Sequence, residues 1–201
     1  MNIRNQFLLD SKVTFLNHGS FGACPKEIFS EYQSWQKKLE NQPVKFLDQY
    51  RDFGPNMTNV RKALSKNLNC NINNLVPVVN ATTGLNAIIK SLHFQKGDEI
   101  LMSNHEYGAL EKTWQFMETK FKIKIKIAKV SLPITSEEKF IKDFISKFNS
   151  KTKILFLSHI TSPTALLFPI KKLIKIAREK NIISIIDGAH APGHIDLNLK
   201  N

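Results

Sequence analysis

Apolar and polar positions change rhythm near residue 70. Before it, Ile28, Tyr32, Trp35 and Leu39 recur at helical spacing behind Pro25, whose missing N–H costs nothing in a first turn. Pro43 interrupts this helix, and a second helical stretch spans about 45–68, with a break expected near Gly54-Pro55. Beyond it, short apolar runs alternate with helical stretches. Leu75-Val76-Pro77-Val78-Val79 reads as a strand whose proline favours an edge or a strand start. Residues 99–103, 153–157 and 182–186 read as further strands, the last ending at Asp187. Residues 122–127 alternate Lys and Ile strictly, the pattern of an edge strand with a lysine face.

The helices between these strands follow from period and caps. Residues 82–92 place Leu85, Ile88, Ile89 and Leu92 on one face, and a further helix is expected over 106–116. Thr135 with Glu138 forms a capping box ahead of a helix to about Phe148. Pro169 opens a helix whose Leu173, Ile174 and Ala177 turn inward. Strands alternating with helices predict an α/β fold, a three-layer α/β/α sandwich around a mostly parallel sheet. A helical segment over residues 1–70 would precede the sheet domain of residues 71–201.

Composition narrows the class of protein. The chain has 201 residues, 42% hydrophobic and 23% charged, which is long enough for one sizeable core and excludes disorder. No apolar run is long enough for a membrane span, and the first ten residues lack a signal-peptide pattern. Cys24 and Cys70 alone make neither a disulfide framework nor a zinc quartet, so a reducing cytoplasm is expected. The net charge of +12 invites a nucleic-acid reading. Only Arg4, Arg51, Arg61 and Arg178 are arginines, however, and the lysines are spread over the polar faces of amphipathic segments. Without clustered arginine forks, nucleic acid and membrane are not the expected partners.

In open parallel sheets ligands bind beyond the carboxyl ends of the strands. Polar residues crowd there, in the segments 80–84, 103–107, 158–162 and 187–190. Thr82 and Thr83 at a strand-to-helix junction offer hydroxyls and free N–H groups to a phosphate, or simply cap the helix. Asp187 follows five strand residues and needs a cation or donors, such as a protonated pyridine nitrogen or its own turn before Gly188. Tyr107 offers a ring face for stacking or for packing. His159 reads as a core histidine, and His190 as a hydrogen-bonder, a metal ligand or a surface residue. There is neither a dinucleotide-binding glycine pattern nor a P-loop.

Taken in order, Leu16-Asn17-His18-Gly19-Ser20-Phe21-Gly22, Asn80-Ala81-Thr82-Thr83, His105-Glu106-Tyr107-Gly108-Ala109, Ser158-His159-Ile160-Thr161-Ser162-Pro163-Thr164 and Asp187-Gly188-Ala189-His190-Ala191-Pro192-Gly193 resemble the class V aminotransferases. These are pyridoxal-phosphate enzymes of fold type I, and the isopenicillin N epimerase-like branch is the nearest. The resemblance implies pyridoxal 5'-phosphate as cofactor. It gives Ala81, Thr82 and Thr83 to the phosphate, Tyr107 to ring stacking with His105 as a fallback, and Asp187 to the ring nitrogen. Ser162 and His190 would sit near the phenolic oxygen, with His190 and Asp187 as catalytic residues. Asn17 and His18 would line the pocket of an amino-acid substrate, and the intact enzyme would be a homodimer.

The family's Schiff-base lysine follows the aspartate by a few tens of residues, whereas Asn201 stands only fourteen residues beyond Asp187. Residues 71–201 are therefore expected to be part of a pyridoxal-phosphate domain, inactive alone. Two other classes of function remain in view. One is a metal-dependent hydrolase built on His105, His159, Asp187, His190 and His194. The other is a basic binding module.

The resemblance also places two absent strands between the strand of Val76 to Val79 and that of Ile154 to Leu157. Unpaired buried strand edges cost about 1–3 kcal/mol for each unsatisfied group. The isolated chain is expected to be marginal, sticky or dependent on a complementing polypeptide, and a cooperative thermal melt of a purified monomer would contradict this.

Overall fold

A computed structural model describes residues 3–200. The chain divides into two compact units, Met1–Pro77 with Leu197–Asn201, and Val78–Asp196.

The first unit is helical, with α1 over Lys26–Asn41, α2 over Pro43–Leu47 and α3 over Phe53–Leu68. None of the three carries a fully buried residue. Pro43 does more than interrupt: it occupies the first turn of α2, where no N–H is needed. The break expected at Gly54-Pro55 falls instead at residues 48–52, and both residues sit in the first turn of α3. Glycine is required there, because a Cβ on Gly54 would lie 2.2 Å from the Gln49 carbonyl oxygen.

The second unit is a four-stranded parallel sheet in the order β2-β1-β3-β4, formed by β1 Glu99–Ser103, β2 Lys124–Ala128, β3 Thr152–Ser158 and β4 Ile183–Asp187. Four helices cover it: α4 Ala81–Ser91, α5 Gly108–Phe121, α6 Glu137–Ile145 and α7 Ile170–Glu179. The two-residue period of the strands divides the core between two faces. Ile100, Met102, Ile154, Phe156 and Ile185 pack with Leu85 and Ile89 of α4 and with Leu110, Trp114 and Met117 of α5. Leu101, Leu155 and Leu157 pack with Phe140 and Phe144 of α6 and with Leu173 and Ala177 of α7. The three-layer α/β/α architecture is thus the one the patterning predicts.

Several local expectations are corrected. Residues 75–79 form no strand; Val76 and Val79 are exposed, and an extended segment without a ladder partner has nothing to hold it as one. Nor are strands missing beside β3, which is paired on both sides, by β1 and β4. The open edges are those of β2 and β4, and Ile183 of β4 is accordingly half exposed. Ile88 also faces outward, leaving Leu85 and Ile89 as the buried pair of α4.

The helix expected over 106–116 starts at Gly108 and continues to Phe121, because Met117 still reaches the core. The cap of α6 is Ser136 rather than Thr135; its extended backbone lets its hydroxyl accept the Lys139 N–H at 3.1 Å. Among the described residues no helix is long and apolar enough to cross a membrane.

At the amino end of β1, Glu99 is buried and accepts from Lys126 Nζ at 2.9 Å and from Asn149 Nδ2 at 2.7 Å. Burial alone would push its pKa up. The bonds from Lys126 and Asn149, with the charges of Lys126 and Lys151, outweigh that and hold it below the ordinary value. A depressed carboxylate stabilises the fold above its unfolded pKa of about 4.3, and that stabilisation disappears as the pH falls through the folded value. Urea denaturation of Glu99→Gln should show lower stability at neutral pH and a flatter loss below about pH 4.

Candidate functional site

The four strands run parallel, so Ser103, Ala128, Ser158 and Asp187 end at one edge of the sheet. The loops that leave this edge carry most of the residues singled out from the sequence.

α4 begins there. Asn80 is its N-cap, the side-chain oxygen accepting the Thr83 N–H at 2.8 Å. The capping role therefore does not belong to Thr82 or Thr83. Among the described residues the N–H groups of Ala81 and Thr82 meet no acceptor, and helix geometry supplies none. Thr82 is half-buried, and Ala81 and Thr83 are exposed. Asn86, one turn on, donates to the Thr82 carbonyl at 3.0 Å and lies 3.2 Å from the Thr113 hydroxyl, tying the start of α4 to α5.

β1 leads into a turn where His105, Glu106 and Tyr107 diverge. His105 is buried, with Nε2 3.1 Å from the Val130 carbonyl oxygen and Nδ1 3.2 Å from the Thr164 hydroxyl. The carbonyl can only accept, so in the neutral ring Nε2 carries the hydrogen and Nδ1 receives the Thr164 hydroxyl hydrogen. Both ring nitrogens are thus engaged in the plane of the ring. Tyr107 is 43% exposed at the N-cap of α5, where its side chain makes no capping bond.

Glu106, which the sequence reading quoted without a role, is buried and accepts from both the N–H and the hydroxyl of Ser103 and of Ser158. Burial pushes its pKa up, and the bonds from Ser103 and Ser158 only partly offset this.

Asp187 closes β4. It is buried, its Oδ1 accepts the Ala189 N–H at 3.0 Å, and its backbone carbonyl accepts the His159 N–H at 2.8 Å. The turn reading of Asp187 is therefore met by one oxygen only. Among the described residues Oδ2 accepts no hydrogen bond, so one side of the carboxylate is open to an external donor or cation. Leu85, one helical turn after Thr82, and Ile185, two residues before Asp187, belong to the same buried cluster.

His159 is half-buried, and no described residue hydrogen-bonds its ring, unlike the satisfied core histidine expected. Burial, and secondarily the charge of Lys171, lower its pKa. Ser162 is exposed on the loop after β3, which Thr161 braces: its hydroxyl accepts the Leu166 N–H at 2.8 Å and lies 2.8 Å from the Thr164 hydroxyl. His190 is half-buried, and its carbonyl accepts from His194 Nδ1.

Asn17 and His18 belong to the first unit, where they form a turn of their own. Asn17 Oδ1 accepts the Ser20 N–H at 3.3 Å, and the His18 ring meets Phe15 edge-on at 4.7 Å. No three His, Cys, Asp or Glu side chains among the described residues are placed to share a metal ion, which leaves the hydrolase reading without its ligand set.

Asn80, Glu106 and Thr164 lie in segments marked from the sequence but without a role there, and Asn86 lies outside those segments.

Residues 22–201 match the family model described as Aminotransferase class-V. The isopenicillin N epimerase of Amycolatopsis lactamdurans is 29% identical, across 98% of this chain and 50% of its own length. The hercynylcysteine sulfoxide lyase of Schizosaccharomyces pombe is 28% identical, across 99% and 50%. A mutant of C-DES with glycine covalently linked to the PLP cofactor shares the fold with a TM-score of 0.86 at 21% identity, across 97% of this chain and 51% of its own. The chain thus spans about half the length of the relatives it matches.

Removing the Glu106 carboxylate strands four donors at the strand tips. Glu106→Ala is expected to lower the unfolding free energy by about 3 kcal/mol in urea titrations. The raised pKa means that the folded chain keeps this proton to higher pH than the unfolded one. Stability should therefore fall as pH rises from about 4.3 through the folded value, and Glu106→Gln should lack that slope.

Proposed function

The chain belongs to the class V aminotransferase family, and we propose that it is the N-terminal part of a pyridoxal-phosphate-dependent member acting at Cα of an amino acid. The observation that supports this reading is the open oxygen of buried Asp187, alongside two unpaired amides at the start of α4, a helix that shares a buried cluster with β4. A buried carboxylate is costly unless a cation or donors complete it, and a protonated ring nitrogen supplies both.

In this reading the amides of Ala81 and Thr82, with the Thr82 and Thr83 hydroxyls, hold the phosphate, where the positive end of the helix dipole favours an anion. Tyr107 lies against the ring face. Asp187 holds the proton on the ring nitrogen, and Ser162 and His190 approach the phenolic oxygen. When bound, the cofactor supplies an electron sink for bonds at Cα.

Epimerisation, transamination and C–S cleavage all begin at that carbon, and the named relatives include an epimerase and a sulfoxide lyase. Within residues 1–201 no lysine stands where the family places its Schiff-base lysine, and Lys200 follows Asp187 too closely for that role. The 201-residue chain alone would therefore hold the cofactor without a covalent link and would not turn over. The intact enzyme would be a homodimer.

Pyridoxine 5'-phosphate carries the phosphate and the ring nitrogen but no aldehyde, so surface lysines cannot capture it. Calorimetric titration of the 201-residue chain should show saturable binding. Asp187→Asn should weaken it about tenfold or more, since even one pKa unit of pairing is worth a factor of ten. Thr82→Ala should weaken it by about two- to tenfold. No saturable binding at millimolar ligand would end this reading.

A further inference from the structure

Glu106 takes no part in the cofactor contacts just assigned, yet it stands between two residues that do. Tyr107 follows it directly in the chain, and Ser158, whose N–H and hydroxyl both bond its Oε2 at 2.7 Å, is the register partner of Asp187. Oε1 is held on the other side by the N–H of Ser103, at 3.3 Å, and by the Ser103 hydroxyl. The carboxylate therefore spans from the end of β1 to the end of β3. No described cation is paired with it.

We propose that Glu106 is a positioning residue, a carboxylate tie that holds Tyr107 and Asp187 at one separation so that the face and the nitrogen of a pyridine ring are engaged together. The inference rests on the pyridoxal-phosphate reading above.

Two features favour a positioning role over simple adhesion. A carboxylate buried among neutral donors is an expensive way to join two strands that are already paired in a ladder, whereas an acceptor-only group fixes the orientation of every donor facing it. Its chemistry is also hard to replace. Glutamine has the same reach, but one end of its amide would set an N–H against the N–H of Ser103 or Ser158. Aspartate is one methylene too short to reach both serines.

The test measures whether Tyr107 and Asp187 act on the ring as a unit. Pyridoxine 5'-phosphate is titrated into the 201-residue chain, Tyr107→Ala, Asp187→Asn and the double variant, each with Glu106 and with Glu106→Gln. With Glu106 in place the double variant should depart from the product of the two single losses by about threefold or more. With Glu106→Gln the losses should simply multiply.

If Glu106→Gln does not fold, Ser103→Ala and Ser158→Ala take its place. Each removes one hydroxyl and leaves the backbone bonds, and each should shrink the same departure. A variant that lowers Tm but leaves the departure intact would overturn the tie while sparing the cofactor reading. Absence of binding to the unaltered chain would overturn both.

Discussion

Four donors from two serines converge on one buried carboxylate, and through it the ends of the two central strands become a single rigid edge. A parallel sheet supplies the ladder between β1 and β3 only as far as Met102 and Phe156. Past that point Ser103 still pairs with β2, and Leu157 and Ser158 with β4, but the β1–β3 register has ended. Glu106 takes over at that point. Everything that projects from this edge, whether Tyr107 or the Thr161–Thr164 loop, is placed from a base that this one group keeps from splaying.

His105 performs a related task sideways. Its ring joins its own turn to the Val130 carbonyl after β2 and to the Thr164 hydroxyl after β3. Asn104 adds its side-chain oxygen, which accepts the Val130 N–H at 2.6 Å. Three consecutive residues, Asn104, His105 and Glu106, thus spend their polar groups on neighbouring loops and strand ends, and the fourth, Tyr107, stays exposed. That division between supporting and presented groups is what makes a loop usable as a site.

The fold was legible in the sequence wherever a pattern was local. β1 was read to the residue, because an apolar run bounded by Gly97-Asp98 and by polar residues admits few alternatives. Residues 75–79 show the opposite case: their apolarity suited a strand, but a strand exists only if a neighbour pairs with it, and that information is not local. The same distinction runs through the site. Asp187 could be picked out because a carboxylate after an apolar run is anomalous on its face. Glu106 could not be given a role, because its partners lie at Ser103 and Ser158, and the second of these is 52 residues away. Asn80 took the cap from the threonine pair for a stereochemical reason, its extended backbone aiming a short side chain at the Thr83 N–H.

The two flanks of the sheet are not equivalent. On the β2 side Lys124 and Lys126 interrupt the isoleucines, and any chain docking alongside would have to crowd or desolvate ammonium groups. The β4 side carries Ile183, Ser184, Ile185 and Ile186 and not a single charge before Asp187. Lateral growth of this sheet, by whatever polypeptide, is discouraged on one flank and permitted on the other, so the layer has a built-in direction of extension.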